Sequence, residues 1–208
     1  MLAMLRTNHL IMPHTRYIIA MGVVVVVSNV LVQYQLGPWL TWGALTFPFA
    51  FLITDLVTRL HGVATAKRVI GIGVLVGIAS SFVAALYALT TLRIAIASAV
   101  AFLVAQLTDM KLFDRFRQLA WWKTPIISST VGSVIDTFLF FGIAFSALTF
   151  ALLPDDSTGV LEVVPLLGVG PELPLWMSLA VADLGIKFVF ALLLLIPYRV
   201  VINREGRT

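Results

Sequence analysis

The stretch YIIAMGVVVVVSNVLVQYQL, Tyr17–Leu36, runs for twenty residues without a charge. A bilayer core about 30 Å thick takes about 20 mostly apolar helical residues to cross. The stretch therefore reads as a membrane-spanning helix. Five more follow along the chain, at Trp39–Arg59, Val69–Leu89, Ile94–Met110, Pro125–Leu153 and Leu175–Ile202. The last two exceed one crossing, so they tilt or run past the lipid. All six are expected to be helical, because lipid offers the backbone no other hydrogen-bond partner. A β-barrel is excluded, since barrel strands alternate apolar and polar residues and Val23–Val27 and Ala191–Ile196 do not. The expected fold is all-α and polytopic, with six transmembrane helices. One domain covers 1–208, with an N-terminal segment at 1–16, an outer loop at 154–174 and a tail at 203–208.

Composition agrees. Hydrophobic residues make up 60% of the 208 and charged residues 12%, against roughly 45–50% and 25% in soluble domains. The mean hydropathy is +1.03. The net charge of +4 does not suggest nucleic acid, because the basic residues form no patch and punctuate apolar runs instead. There is no cysteine, so disulfides and thiolate metal sites are excluded. His9, His14 and His61 fall outside the apolar runs, and no histidine metal site is expected inside the membrane. The first apolar run is longer than a signal core and lacks a small-x-small cleavage site, so it reads as a retained helix.

Counting six spans puts twelve of the fourteen Lys and Arg on one side. They are Arg6 and Arg16; Arg59, Lys67 and Arg68; Lys111, Arg115, Arg117 and Lys123; and Arg199, Arg204 and Arg207. Arg93 alone is opposite, and Lys187 lies within span six. Positive residues favour the cytoplasm, so both termini are expected there. The loop after span five is acidic, with Asp155, Asp156, Glu162 and Glu172, and its Pro154, Pro165, Pro171 and Pro174 suggest irregular structure. Three spans on each side of the midpoint permit an inverted repeat.

Ionisable groups inside lipid are costly and mark function by default. Here they are Asp55 and Arg59, Asp109, Asp136, and Asp183 with Lys187. At about 1.5 Å per residue, Asp136 lies roughly 16 Å into its helix, near the midplane, as does Lys187. Asp183 and Lys187 are four apart and share a face. They are either an internal ion pair or a pair whose partners exchange when substrate arrives. Asp55 and Arg59 share that spacing, and Arg59 can snorkel to the interface. Asp109 reads as a solvated helix terminus beside Lys111. Asp136 has no basic residue one turn away; it extends a stripe of Ser129, Ser133 and Phe140, and Lys187 is its candidate partner across the bundle. Asn29 and Gln33 are four apart on span one, and Gln106 and Asp109 three apart on span four. Ala97, Ala101 and Ala105 form a small-residue ladder for close helix packing. Trp121 and Trp122 suit an interfacial belt. Pro48, between Phe47 and Phe49, should kink span two. No phosphate loop, nucleophile elbow or His-Glu-x-x-His occurs, so an enzyme is not expected.

These polar residues form a pattern that resembles the queuosine precursor transporter family, also called the VUT family. The stretches that carry it are Ser28-Asn29 with Leu31-Val32-Gln33; Thr41-Trp42-Gly43-Ala44 through Phe47-Pro48-Phe49 to Thr54-Asp55-Leu56, Arg59 and Gly62; and Arg93-Ile94-Ala95 with Ala97-Ser98. Gln106, Asp109, Phe113 and Arg115 to Gln118 follow. Then come Trp121-Trp122, Pro125, Ser129, Gly132 and Asp136-Thr137, and last Asp183 with Lys187. The likeness covers roughly residues 16 to 200. It departs at Ser133, where some members carry Asn, and at Leu152–Pro174, which looks longer than usual.

The resemblance implies a multi-pass carrier in the inner (cytoplasmic) membrane for 7-deazaguanines such as 7-cyano-7-deazaguanine and its aminomethyl analogue. The expected binding residues are Asn29, Gln33, Phe47, Asp55, Arg93, Gln106, Ser133, Asp136, Asp183 and Lys187. A guanine-like ring presents adjacent N–H donors that suit a carboxylate, a carbonyl that suits Lys, Arg, Asn or Gln, and flat faces that suit Phe or Trp. Expected partners are this small molecule, the lipid bilayer and, in a homo-oligomer, further copies of the chain. No cofactor, metal or nucleic acid is expected. An alternative is the substrate-binding membrane subunit of an ATP-driven energy-coupling vitamin transporter. Such subunits commonly carry Ala-x-x-x-Ala in the first helix, which span one lacks.

Overall fold

The computed structural model describes residues 2–87, 89–153 and 158–205, with side chains from residue 14 onward apart from those of 147 and 158. Pro154, Asp155, Asp156 and Arg207 lie outside the described residues, as do the side chains of Arg6 and His9. Among the described residues, five segments are long and apolar enough to cross a membrane: His14–Leu31, Trp42–Leu86, Leu92–Phe116, Lys123–Phe145 and Leu175–Glu205.

Helix α1 is Leu2–Leu31. A two-residue ribbon follows, β1 (Gln35–Leu36) against β2 (Leu40–Thr41). Next come α2 (Trp42–Thr46) and α3 (Pro48–Leu86). They part at Phe47, because Pro48 has no N–H to continue the ladder. The stretch Trp42–Leu86 counts 45 residues, and it is not straight. Gly62 sits at φ 80, ψ 172, a region essentially reserved for glycine, and there the chain doubles back. Contacts with α1 show it. Ser28 meets Thr46 and Tyr17 meets His61, so the arm before Gly62 runs antiparallel to α1. Asn29 meets Ser80, and Met21 lies beside Gly73, so the arm after it runs parallel. The two apolar runs expected as separate spans are these two arms, joined at one residue.

Helix α4 is Leu92–Phe116, opened by Thr91, whose side chain accepts from Ile94 N. It continues almost two turns past the expected end at Met110. That overturns the reading of Asp109 as a solvated terminus: Asp109 is 0% exposed. Helix α5 is Lys123–Phe145, shorter than the expected Pro125–Leu153. Ser146 turns extended (φ −70, ψ 150) and its hydroxyl accepts from Thr149 N, starting a separate α6 at Ala147–Leu152. The loop expected to be irregular contains a ribbon, β3 (Val163–Pro165) against β4 (Glu172–Pro174), in register Val163 with Pro174 and Pro165 with Glu172. Pro165 and Pro174 sit at strand ends, where a missing N–H interrupts no ladder. The chain closes with α7 (Leu175–Leu193) and α8 (Leu195–Glu205), separated just before Pro197.

The bundle is inside-out by soluble standards. Phe82, Phe138 and Ile196 are 65%, 77% and 69% exposed, the surface expected of a chain solvated by lipid. The interior combines an apolar core, with Met21, Ile70, Phe102, Met110 and Phe113 buried, and a set of buried polar groups. Ala97, Ala101 and Ala105 are buried, and Ala97 packs on Phe141, Ala144 and Phe145 of α5, as the ladder required. At one end of the bundle Arg16 pairs with Glu205 at 2.6 Å, tying the middle of α1 to the end of α8. Arg59 Nη1 donates to Arg117 O at 2.8 Å, and Arg117 Nη2 returns a bond to Arg59 O at 3.3 Å. Arg199 lies 4.1 Å over the Trp121 ring.

Candidate functional site

A cavity of about 310 Å³ lies towards the other end of the bundle, the end carrying the 32–41 and Leu89-Thr90 connections. This size matches the lower range of small-ligand pockets, roughly 300–1,000 Å³. Its walls are Ser28 and Asn29 of α1, Gln33 in the turn after it, Trp39 beside the first ribbon, Phe47, Ile94, Ser98 and Ala101 of α4, Phe140 and Phe141 of α5, and Leu179 of α7. Three charged residues line it as well: Asp136, Asp183 and Lys187.

Helices α5 and α7 assemble that charged cluster. Lys187 Nζ donates to Asp136 Oδ2 at 2.7 Å, to Asp183 Oδ2 at 2.5 Å and to Thr137 Oγ1 at 3.0 Å. Thr137 in turn donates to Asp183 Oδ2 at 2.7 Å. An ammonium has three protons, and all three are placed. The helical spacing of four brings Asp183 to Lys187, and the crossing of α5 on α7 brings Asp136, so the lysine serves both. Phe47 contributes its ring 5.7 Å from Nζ. Two carboxylates against one ammonium leave the ionised cluster net negative. The Oδ1 atoms of Asp136 and Asp183 make no hydrogen bond among the described residues, so acceptors remain beside the cavity.

The two amides at the end of α1 and just beyond it divide their work. Asn29 Nδ2 donates to Ser80 Oγ at 2.6 Å, tying α1 to the second arm of α3. Among the described residues Gln33 Nε2 reaches only the Asn29 carbonyl, at 3.3 Å.

Six of the ten residues expected from sequence thus line the cavity: Asn29, Gln33, Phe47, Asp136, Asp183 and Lys187. The other four lie elsewhere. Arg93 is buried with its guanidinium 3.3 Å over the Phe150 ring. Gln106 accepts from Thr54 Oγ1 through Oε1. Ser133 borders a smaller cavity of about 20 Å³, shared with Asp55, Ser129 and Lys187. Asp55 makes no ion pair with Arg59 among the described residues; its carboxylate takes Ser128 Oγ and Ser129 Oγ, each at 3.1 Å, while Arg59 is engaged with Arg117. Thr137, Trp39 and Ser128 were not singled out for roles in the sequence. Adjacency to Asp136 was the signal for Thr137, and adjacency to Ser129 the signal for Ser128.

A mostly apolar, ligand-sized cavity between lipid-facing helices, with a buried charged cluster and aromatic rings in its wall, fits the class of multi-pass membrane transporters of small molecules. Residues 41–201 match the family described as "Putative vitamin uptake transporter", and the chain belongs to it. It is 32% identical over 200 residues to the "Queuosine precursor transporter" of Escherichia coli K12, covering 86% of this chain and 82% of that protein. It is 42% identical over 121 residues to the "Probable queuosine precursor transporter" of Haemophilus influenzae, covering 50% of this chain and 52% of that one. The latter match thus spans about half of each protein. No solved structure matches.

Proposed function

We propose that this chain imports queuosine precursors, 7-cyano-7-deazaguanine and 7-aminomethyl-7-deazaguanine, across the cytoplasmic membrane. It crosses six times, has both termini inside, and works as a carrier without catalysing a reaction. The observation that carries this reading is the cluster bordering the cavity. Two carboxylates there each keep one oxygen uncommitted, beside a lysine, in a cavity that Phe47, Phe140 and Trp39 also line. A deazaguanine offers adjacent N–H donors to a carboxylate, a carbonyl to the lysine and flat faces to the rings. On arrival it takes over one of the carboxylates, and the freed proton of Nζ turns to the ring carbonyl. The names of the two relatives point to the same substrate class.

The test is uptake of labelled 7-cyano-7-deazaguanine by cells that lack their own route and any energising module of the ATP-driven type. The wild-type chain restores uptake, and Asp136→Asn abolishes it at equal abundance in the membrane. Wild-type uptake by Asp136→Asn would show that the carboxylate only supports the bundle.

A further inference from the structure

Between the cavity and the end that carries the termini lies a second buried group that the substrate cluster does not use. Asp55 of α3 and Asp109 of α4 are 2% and 0% exposed. One hydroxyl serves both: Ser129 Oγ lies 3.1 Å from Asp55 Oδ2 and 3.4 Å from Asp109 Oδ1. Gly132 makes room for this approach, since a Cβ there would stand 3.2 Å from Asp109 Cβ. Asp109 Oδ2 has no hydrogen-bond partner at all among the described residues, and neither has the buried Gln106 Nε2 one turn earlier on α4. No lysine or arginine forms an ion pair with either carboxylate among the described residues. The charged and titratable groups around them are Lys187 of α7 across the small cavity, Tyr198 of α8, and Arg59 and Arg117. The two arginines are held by each other's carbonyls.

Charge balance decides the chemistry. Four carboxylates, Asp55, Asp109, Asp136 and Asp183, meet one lysine in this region. Two neighbouring carboxylates in a low-dielectric site do not both ionise, and an orphaned buried acceptor is costly. A proton on Asp109 Oδ2 removes one charge and turns an unpartnered acceptor into a donor.

We infer that Asp55 and Asp109 hold one exchangeable proton between them and form the coupling site of the carrier, so that one H⁺ enters with each substrate molecule. The inference rests on the transport reading above. The α5 stripe supplies the link to the substrate. Ser129 touches the pair, Ser133 borders the small cavity, Asp136 holds Lys187, and Phe140 lines the large cavity. Ser129 and Asp136 are about 10 Å apart along the helix at 1.5 Å per residue. The small cavity between them, about 20 Å³, has room for about one water, which needs roughly 10–15 Å³. The proton reaches the pair from the cavity side and leaves on the side of the termini, and no bond other than O–H is made or broken.

Two measurements test this. Infrared difference spectroscopy on the purified wild-type chain at neutral pH should show a protonated carboxyl C=O band. That band should disappear in Asp109→Asn and in Asp55→Asn. In vesicles with the membrane potential clamped, an interior one pH unit more alkaline should drive about tenfold accumulation of labelled 7-cyano-7-deazaguanine at one proton per substrate. A trapped pH dye should report acidification in step. Asp109→Asn should still exchange labelled for unlabelled substrate but accumulate none. The inference is overturned if the band is absent or survives both substitutions, or if a sodium gradient drives accumulation in place of the pH gradient. It is also overturned if Asp109→Asn accumulates like wild type, or if both variants lose exchange together with accumulation. A wild type that shows the band but exchanges no deazaguanine refutes the substrate assignment, while the proton pair stands.

Discussion

Lys187→Met should destabilise the chain in a way that identifies its principal partner. The residue is 4% exposed and gives its three protons to Asp136, Asp183 and Thr137. Removing one member of a buried pair costs about 3–5 kcal/mol, because the other charge is left without compensation. The two carboxylates are not left equally exposed to that loss. Asp136 has Lys187 as its single hydrogen-bond partner among the described residues. Asp183 keeps the Thr137 hydroxyl at 2.7 Å, and its side chain is 15% exposed. The penalty therefore falls mainly on Asp136. At about 1.4 kcal/mol per tenfold, the folded-to-unfolded ratio should fall roughly a hundredfold to several-thousandfold. Adding Asp136→Asn should recover most of the loss, and adding Asp183→Asn distinctly less. Denaturant or thermal unfolding of the detergent-purified variants measures it. Uptake should stay absent in both double variants, because the ammonium is gone. Unchanged stability of Lys187→Met, or better rescue by Asp183→Asn than by Asp136→Asn, would refute the reasoning.

Three further outcomes follow from the fold. Gly62→Ala should cost about 1–3 kcal/mol, since φ 80, ψ 172 admits essentially glycine alone, and unfolding curves of the variant check it. Gly132→Val should cost about 1–3 kcal/mol through overpacking, because its Cβ would come within 2.7 Å of Phe51 Cε1; reduced thermal stability of the purified protein is the readout. Cysteine at Val169, which is 94% exposed, should react with an impermeant thiol reagent added outside intact cells, and cysteine at Asn203 should not; the reverse pattern would invert the orientation.

The helices were legible because lipid imposes a single rule on long apolar runs; Tyr17–Leu36 follows it as far as Leu31, where α1 ends short of the expected boundary and Gln35–Leu36 turn into the first ribbon. Their joints were less so. Gly62 is one glycine among fourteen, and sequence does not reveal which of them takes a positive φ. Ser146 breaks α5 because its hydroxyl finds Thr149 N, a local contact that hydropathy does not register. In the site, the spacing of Asp183 and Lys187 fixed their pairing, since one helix determines that geometry. The addition of Asp136 to the same lysine depended on how α5 crosses α7, and sequence offered it only as a candidate. Asp109 was misread for the same kind of reason. The neighbouring Lys111 suggested water, whereas the absence of a side chain at Gly132, on another helix, is what draws Asp109 into the interior.

The single-residue turn at Gly62 also bears on how the chain enters its membrane. Most adjoining spans are separated by a polar loop, which lets the first lodge in the bilayer while the second is still being synthesised. Here helix reaches His61 and resumes at Val63. An arm that entered alone would hold its successor against the interface with no slack. Two arms joined this tightly are expected to enter as a closed hairpin, with Arg59, Lys67 and Arg68 grouped around its closed end. Lengthening the turn with a flexible polar insert would uncouple that entry, and it would do so without touching any residue of the cavity.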